Sequence, residues 1–122
     1  MIKTTTTFIM GTLAMLMSVS ALSATTSVIT NIERVYATPS DKWGGCMVRT
    51  ESRYNKVNCN QNWLTLDCEG AVEGNTKSAG QRRFDIATLA LITSQTAKFR
   101  INDEIKINGY CYADRVELIA SP

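Results

Sequence analysis

The chain has 122 residues, with 13 Lys and Arg against 11 Asp and Glu, four cysteines and no histidine. So even a balance lacks the basic surplus of a dedicated nucleic-acid binder. Without histidine there is no Ser-His-Asp or Cys-His catalytic arrangement, and with no close C-x-x-C pair structural zinc is disfavoured too.

The first segment reads as a targeting signal. Lys3 supplies a short positive start, Phe8 to Leu22 is mostly apolar, and Ala21-Leu22-Ser23 fits the small-x-small cleavage rule. The cut is expected after Ser23, with Ala24 the neighbouring choice. The apolar run falls short of the ~20 residues a span needs, which argues against a retained membrane anchor. No cysteine at the cleavage site indicates a lipid anchor. Residues 24–122 then form one domain of 99 residues, with 12 basic against 11 acidic side chains once Lys3 is removed. All four cysteines, Cys46, Cys59, Cys68 and Cys111, lie in it. An even count in a small exported domain predicts two disulfides and a periplasmic or extracellular location.

Val28 to Ala37 alternates, with Val28, Ile32 and Tyr36 against Asn31 and Glu33, and predicts a first strand. Thr38-Pro39-Ser40-Asp41 is turn chemistry. Cys46 to Thr50 is a second strand and Asn58 to Gly70 a third, with Leu64, Leu66 and Cys68 on one face and Trp63, Thr65 and Asp67 on the other. A hairpin centred near Val57 puts Cys46 opposite Cys68. That leaves Cys59 to pair with Cys111; the alternative connectivity is Cys46–Cys59 with Cys68–Cys111.

Ala71 to Gln81 reads as a loop rich in Gly, Asn and Ser. A helix over 85–94 follows, with Asp85 as N-cap and a Phe84–Leu89 staple. Ala97 to Asn102 alternates as a fourth strand, and Asp103 to Gly109 is a turn. Tyr110 to Ile119 closes the chain as a fifth strand, with Val116 and Leu118 inward. Cys111 and Leu118 fall on opposite faces by strict alternation, which a bulge would reconcile. The order β-β-β-α-β-β is that of a five-stranded OB-like barrel, an all-β class with one short helix. The alternative is an open α+β sheet covered by one helix.

Several segments together carry a resemblance: C-M-V at 46–48, N-W-L-T-L-D-C-E-G at 62–70, F-D-I-A-T-L-A-L-I-T-S-Q-T-A-K-F-R-I-N-D at 84–103 and N-G-Y-C-Y-A-D-R-V-E-L at 108–118. Over about residues 44–119 the chain resembles a family of small exported proteins of Gram-negative bacteria. That family in turn looks like the OB-fold B subunits of AB5 toxins of the subtilase-cytotoxin and pertussis-like group. The resemblance implies an OB-fold and, carried further, a ring-forming, glycan-binding subunit. The toxin subunits' sugar-contacting motifs do not match here, so no binding residue is carried over.

Binding chemistry therefore rests on the residues themselves. Trp43, Trp63, Tyr110 and Tyr112 are amphipathic aromatics in or beside strands, able to stack on a sugar ring. Asn60, Gln61, Asn62, Asp67 and Lys77 are candidates to bond its hydroxyls. The competing role for the aromatics is packing against the helix or across strands. Asp67 and Glu69 share a strand face but read as solvated carboxylates, and Arg49, Arg82, Arg83 and Arg100 as a charged surface. No catalytic residue, cofactor or metal is expected. The sequence thus predicts a non-catalytic binding module for a cell-surface glycan or a protein partner, with a homo-oligomer among the expected forms. The other classes are an envelope interaction or inhibitor protein and a single-strand nucleic-acid binder, the last disfavoured by the charge balance.

Overall fold

A computed structural model of the chain describes residues 25–39, 41–54, 57–60 and 62–120. The expected signal peptide, 1–23, and Gln61 lie outside the described residues. Six strands and one helix follow in order: β1 (Thr25–Thr30), β2 (Ile32–Ala37), a single 3-10 turn (Asp41–Trp43), β3 (Cys46–Thr50), β4 (Trp63–Thr65), α1 (Lys77–Ile92), β5 (Thr96–Ile107) and β6 (Tyr110–Ile119). The strands form one sheet in the order β1-β5-β6-β4-β3-β2. The β4–β6 pair is parallel and every other pair antiparallel. No helix among the described residues is long and apolar enough to cross a membrane.

The expected first strand is two strands. It breaks at Asn31, whose carbonyl accepts from Glu51 N (3.0 Å) and whose Nδ2 donates to the Glu51 carboxylate (3.0 Å). The halves sit at opposite ends of the sheet order, β1 on β5 and β2 on β3. The sheet is therefore six-stranded, mixed and not closed into a barrel by its ladder, in place of the five-stranded barrel expected. Because its two outer strands are one residue apart in the chain, the sheet curls until they approach.

A bulge at Glu33 shifts β2 by one residue against β3, since Ile32 faces Thr50 and Arg34 faces Arg49. Val35 then points to the core, and Tyr36, expected inward, is 39% exposed. The expected bulge in the last strand is present: Ile101 faces Ala113 and Arg100 faces Arg115, leaving Asp114 unpaired on the ladder. Asp114 instead takes two bonds from the Arg100 guanidinium (2.7 and 2.9 Å). Val116 is buried as expected, but Leu118, at the strand's far end, is 38% exposed.

Both expected disulfides form, Cys46–Cys68 with Cα atoms 5.6 Å apart and Cys59–Cys111 at 5.5 Å. The hairpin that carries the first is shorter than expected and differently registered. Met47 faces Thr65, Val48 faces Leu64 and Arg49 faces Trp63, two residues from the register that sets Cys46 against Cys68. A two-residue shift leaves every side chain on its face, so Leu64 and Leu66 remain fully buried. Asp67 then turns the chain at φ 53°, and that turn returns Cys68 to Cys46.

The helix starts eight residues before the expected N-cap. Thr76 caps it, its side-chain oxygen accepting from Ala79 N (3.1 Å), so the expected loop at 71–81 is half helix. It seats through small residues, with Gly80, Ala87 and Ala90 buried against the sheet. A Cβ at Gly80 would overlap the Asp67 carbonyl oxygen and stand 2.7 Å from its carbon, so only glycine allows this approach. The core between helix and sheet holds Phe99, Leu64, Leu66, Ile101 and Val48, all fully buried. The fourth strand runs five residues past its expected end, through a register shift between Asn102 and Lys106. The hairpin turns on Asn108-Gly109, both at positive φ (51° and 81°), as a right-twisted two-residue turn requires.

Candidate ligand-binding cleft

The strand register decides which side chains share the face turned away from the core. On β2 these are Arg34 and Tyr36; on β3, Met47 and Arg49; on β4, Trp63; on β6, Tyr110. Arg34, Tyr36, Met47, Trp63 and Tyr110, together with Trp43 from the turn between β2 and β3, line an open concavity of about 290 Å³. Met47 is nearly buried at 4% exposure and forms its floor. Trp43, Trp63 and Tyr110 are half-buried walls.

Each wall is held by polar contacts. The Asn60 side-chain oxygen accepts from Asn62 N and Trp63 N (both 3.0 Å), an Asx turn that sets the start of β4. Tyr54, buried, donates its hydroxyl to Trp63 O (2.8 Å), and burial pushes that phenol well above the ordinary tyrosine range. Thr65 donates its hydroxyl to Trp43 O (2.7 Å), pinning the turn. Asn108 Nδ2 donates to Lys42 O, tying the β5–β6 turn to the residue before Trp43. Trp43 meets Tyr36 edge to face with ring centres 6.0 Å apart, and the Lys42 ammonium lies 5.1 Å from the Trp43 ring.

The electrostatics of the cleft are one-sided. Arg49, on the same face, pairs with Glu33 at 3.2 Å. Arg34 makes no ion pair with any described residue. Among the described lining residues there is no carboxylate or carboxamide, and their side-chain polar groups are one guanidinium, two indole N–H groups and two phenol hydroxyls. That set donates far more than it accepts.

Of the residues expected to bind, Trp43 and Trp63 come together here, as does Tyr110. Asn60 and Asn62 do not line the cleft. Asn60 shapes it, and Asn62 is engaged through its side chain with Thr50 O (3.4 Å) and Arg53 Nε (3.2 Å). Asp67, expected on a solvated face, is fully buried. Its carboxylate accepts from Ala71 N (2.9 Å), Val72 N (2.8 Å) and Asn75 Nδ2 (2.8 Å), so it organises the turn into the helix. Lys77 is exposed at the first turn of α1, 3.8 Å from Glu69, outside the cleft lining. Tyr112 is buried next to Arg83, whose guanidinium lies 5.3 Å from its ring and bonds its hydroxyl at 2.9 Å. Burial raises that phenol's pKa, and the positive charge of Arg83 offsets part of the rise. Arg34, Tyr36 and Met47 are the lining residues sequence reasoning missed. The alternation Arg34, Tyr36 was legible, but its direction depended on the bulge at Glu33.

In comparisons with family models, curated proteins and solved structures, none matches the chain.

Proposed function

We propose that this chain is an exported, non-catalytic binding module of OB type that holds a sugar ring in the aromatic cleft. The two disulfides are consistent with an oxidising, exported compartment. Counting β1 and β2 as one strand bent at Asn31 gives five strands, the third and fifth parallel, with a helix between the third and fourth. That order supports an OB reading, and OB domains take ligands on the face of the second and third strands and the loops flanking it. The cleft occupies the corresponding place: Met47 and Trp63 are on those strands, Trp43 in the loop before them and Tyr110 beside the β5–β6 turn.

The observation that carries the proposal is the convergence of four half-exposed aromatics on one concave face around the Arg34 guanidinium, which has no ion-pair partner among the described residues. Aromatic faces stack on the apolar face of a pyranose, and the donor-rich rim suits ring substituents that accept. A sugar bearing an acidic group is favoured over a neutral one. Ring assembly, which the resemblance to AB5 B subunits implies, is a separate property that light scattering reads directly.

A glycan array probed with the oxidised protein tests the proposal. Binding of a defined class of sugars is expected, with Trp63→Ala losing about five- to tenfold, the equivalent of one stacking contact of ~1–1.5 kcal/mol. An array at background would overturn it. Salt-sensitive binding to single-stranded oligonucleotides would replace it with base stacking on the same aromatics.

A further inference from the structure

The two disulfides differ in what else does their work. Cys46 and Cys68 are 1% and 8% exposed. Around them β3 and β4 are also joined by their ladder, by Leu66 N to Cys46 O (3.2 Å) and by Glu69 N to Gly44 O (3.2 Å). Cys59 lies outside regular structure and is only partly buried, whereas its partner Cys111 is fully buried in β6. Among the described backbone contacts, one hydrogen bond, Asn60 N to Gly109 O (3.1 Å), joins the segment before β4 to the β5–β6 turn. The β4–β6 ladder adds two residue pairs, Leu64 with Cys111 and Thr65 with Tyr112. Yet this junction governs the cleft. Cys59-Asn60 leads to Trp63 through the Asx turn, and Cys111 follows Tyr110 directly.

We propose that Cys59–Cys111 is a reducible latch that fixes the Trp63 and Tyr110 walls of the cleft relative to each other. The regulation acts on the site described above and so rests on the cleft being the binding site. The reductant is a dithiol. Its thiolate attacks Sγ of Cys59, the less buried cysteine of the pair; the S–S bond breaks and Cys111 leaves as a thiolate that takes up a proton. The reductant's second thiolate then attacks its own sulfur in the mixed disulfide and frees Cys59. Two electrons and two protons pass to the protein, and the dithiol becomes a cyclic disulfide. Of the described backbone bonds, only Asn60 N to Gly109 O then joins the segment before β4 to the turn, and the Trp63 indole gains freedom while the β3–β4 hairpin, with the Trp63 backbone in it, and its own disulfide persist.

The chain has two tryptophans, so Trp43→Phe leaves Trp63 as the sole indole reporter. The oxidised protein carrying this change is titrated with dithiothreitol, alkylated, mapped by mass and assayed by acrylamide quenching. Cys59 and Cys111 are expected to alkylate first, with the quenching constant of Trp63 rising about twofold as a half-buried indole becomes exposed and the far-UV spectrum unchanged. The Cys59→Ser/Cys111→Ser pair, made in the same background, is expected to reproduce the rise without reductant. Prior or simultaneous reduction of Cys46–Cys68 overturns the proposal. So does selective reduction with unaltered quenching, or global unfolding on losing this one bond. None of these readouts uses a sugar, so an empty glycan array leaves the latch result standing and the reverse also holds.

Discussion

Replacing Asp67 by alanine is expected to destabilise the domain by about 3–5 kcal/mol while leaving no specific mark on the cleft. The side chain is fully buried at φ 53° and accepts three hydrogen bonds. Val72 is buried as well, so its N–H loses its acceptor with no water to replace it, a cost of ~1–3 kcal/mol. Ala71 is exposed and Asn75 half-exposed, so their donors rehydrate and lose only the net worth of an ordinary hydrogen bond, ~0.5–1.5 kcal/mol each. Alanine in the left-handed region adds ~1 kcal/mol that aspartate's short polar side chain tolerates better. Urea unfolding of the oxidised protein measures the sum. With a slope of ~1–3 kcal/mol/M, the midpoint should fall by about 2 M at constant slope. Asp67→Asn keeps one acceptor and the tolerance of positive φ, and should cost about half as much. A loss under ~1 kcal/mol for Asp67→Ala would refute the reasoning. If such a stable variant also lost ligand, Asp67 would return to the binding surface.

Gly80→Ala reverses the usual sign of a helix substitution. In an open helix interior it gains ~1 kcal/mol, but here the new methyl meets the Asp67 backbone, which cannot rotate aside, so a net loss of about 1–3 kcal/mol is expected by the same urea assay. A gain would mean that the helix stands away from Asp67 and Cys68. Stability should also fall as pH rises above about 10. Tyr54 keeps its proton in the fold beyond the pH at which an unfolded tyrosine loses it, so the unfolded state alone ionises there. Below pH 10 both states hold the proton and the residue contributes no slope. Tyr54→Phe should be less stable at neutral pH by about 1 kcal/mol, through loss of the bond to Trp63 O, and should lose part of the alkaline decline. An alkaline limb identical in both proteins would assign the decline to other groups.

The sequence spoke most clearly where one physical period ran unbroken. The last strand was legible end to end, and its conflict of parity between Cys111 and Leu118 announced the bulge now seen at Asp114. The Cys46–Cys68 bridge followed from hairpin faces, even though the true register differs by two residues, because a shift of two conserves faces, and Cys59–Cys111 followed by elimination. What stayed hidden was decided by contacts between distant segments. Gly80 reads as a loop residue until the Asp67 backbone lies beneath it, and Thr76 reads as one more polar residue until it caps a helix seated on alanine and glycine. Asp67 alternated with Leu66 and so read as solvated, whereas a positive φ folds it under the next turn. The cleft was half visible. Its tryptophans drew attention by type, but the β2 contribution required knowing that Glu33 is an extra residue.

Asn31 also sets an order of assembly. On one side of it, β2 pairs with β3, nearby in the chain; on the other, β1 pairs with Ala97 to Asn102, some seventy residues away. Long closures of this kind come late and slow the folding of β-rich chains. A chain emerging amino end first therefore presents Thr25–Thr30 without a partner until its fifth strand has been made. The strand that emerges first is among the last to find its place.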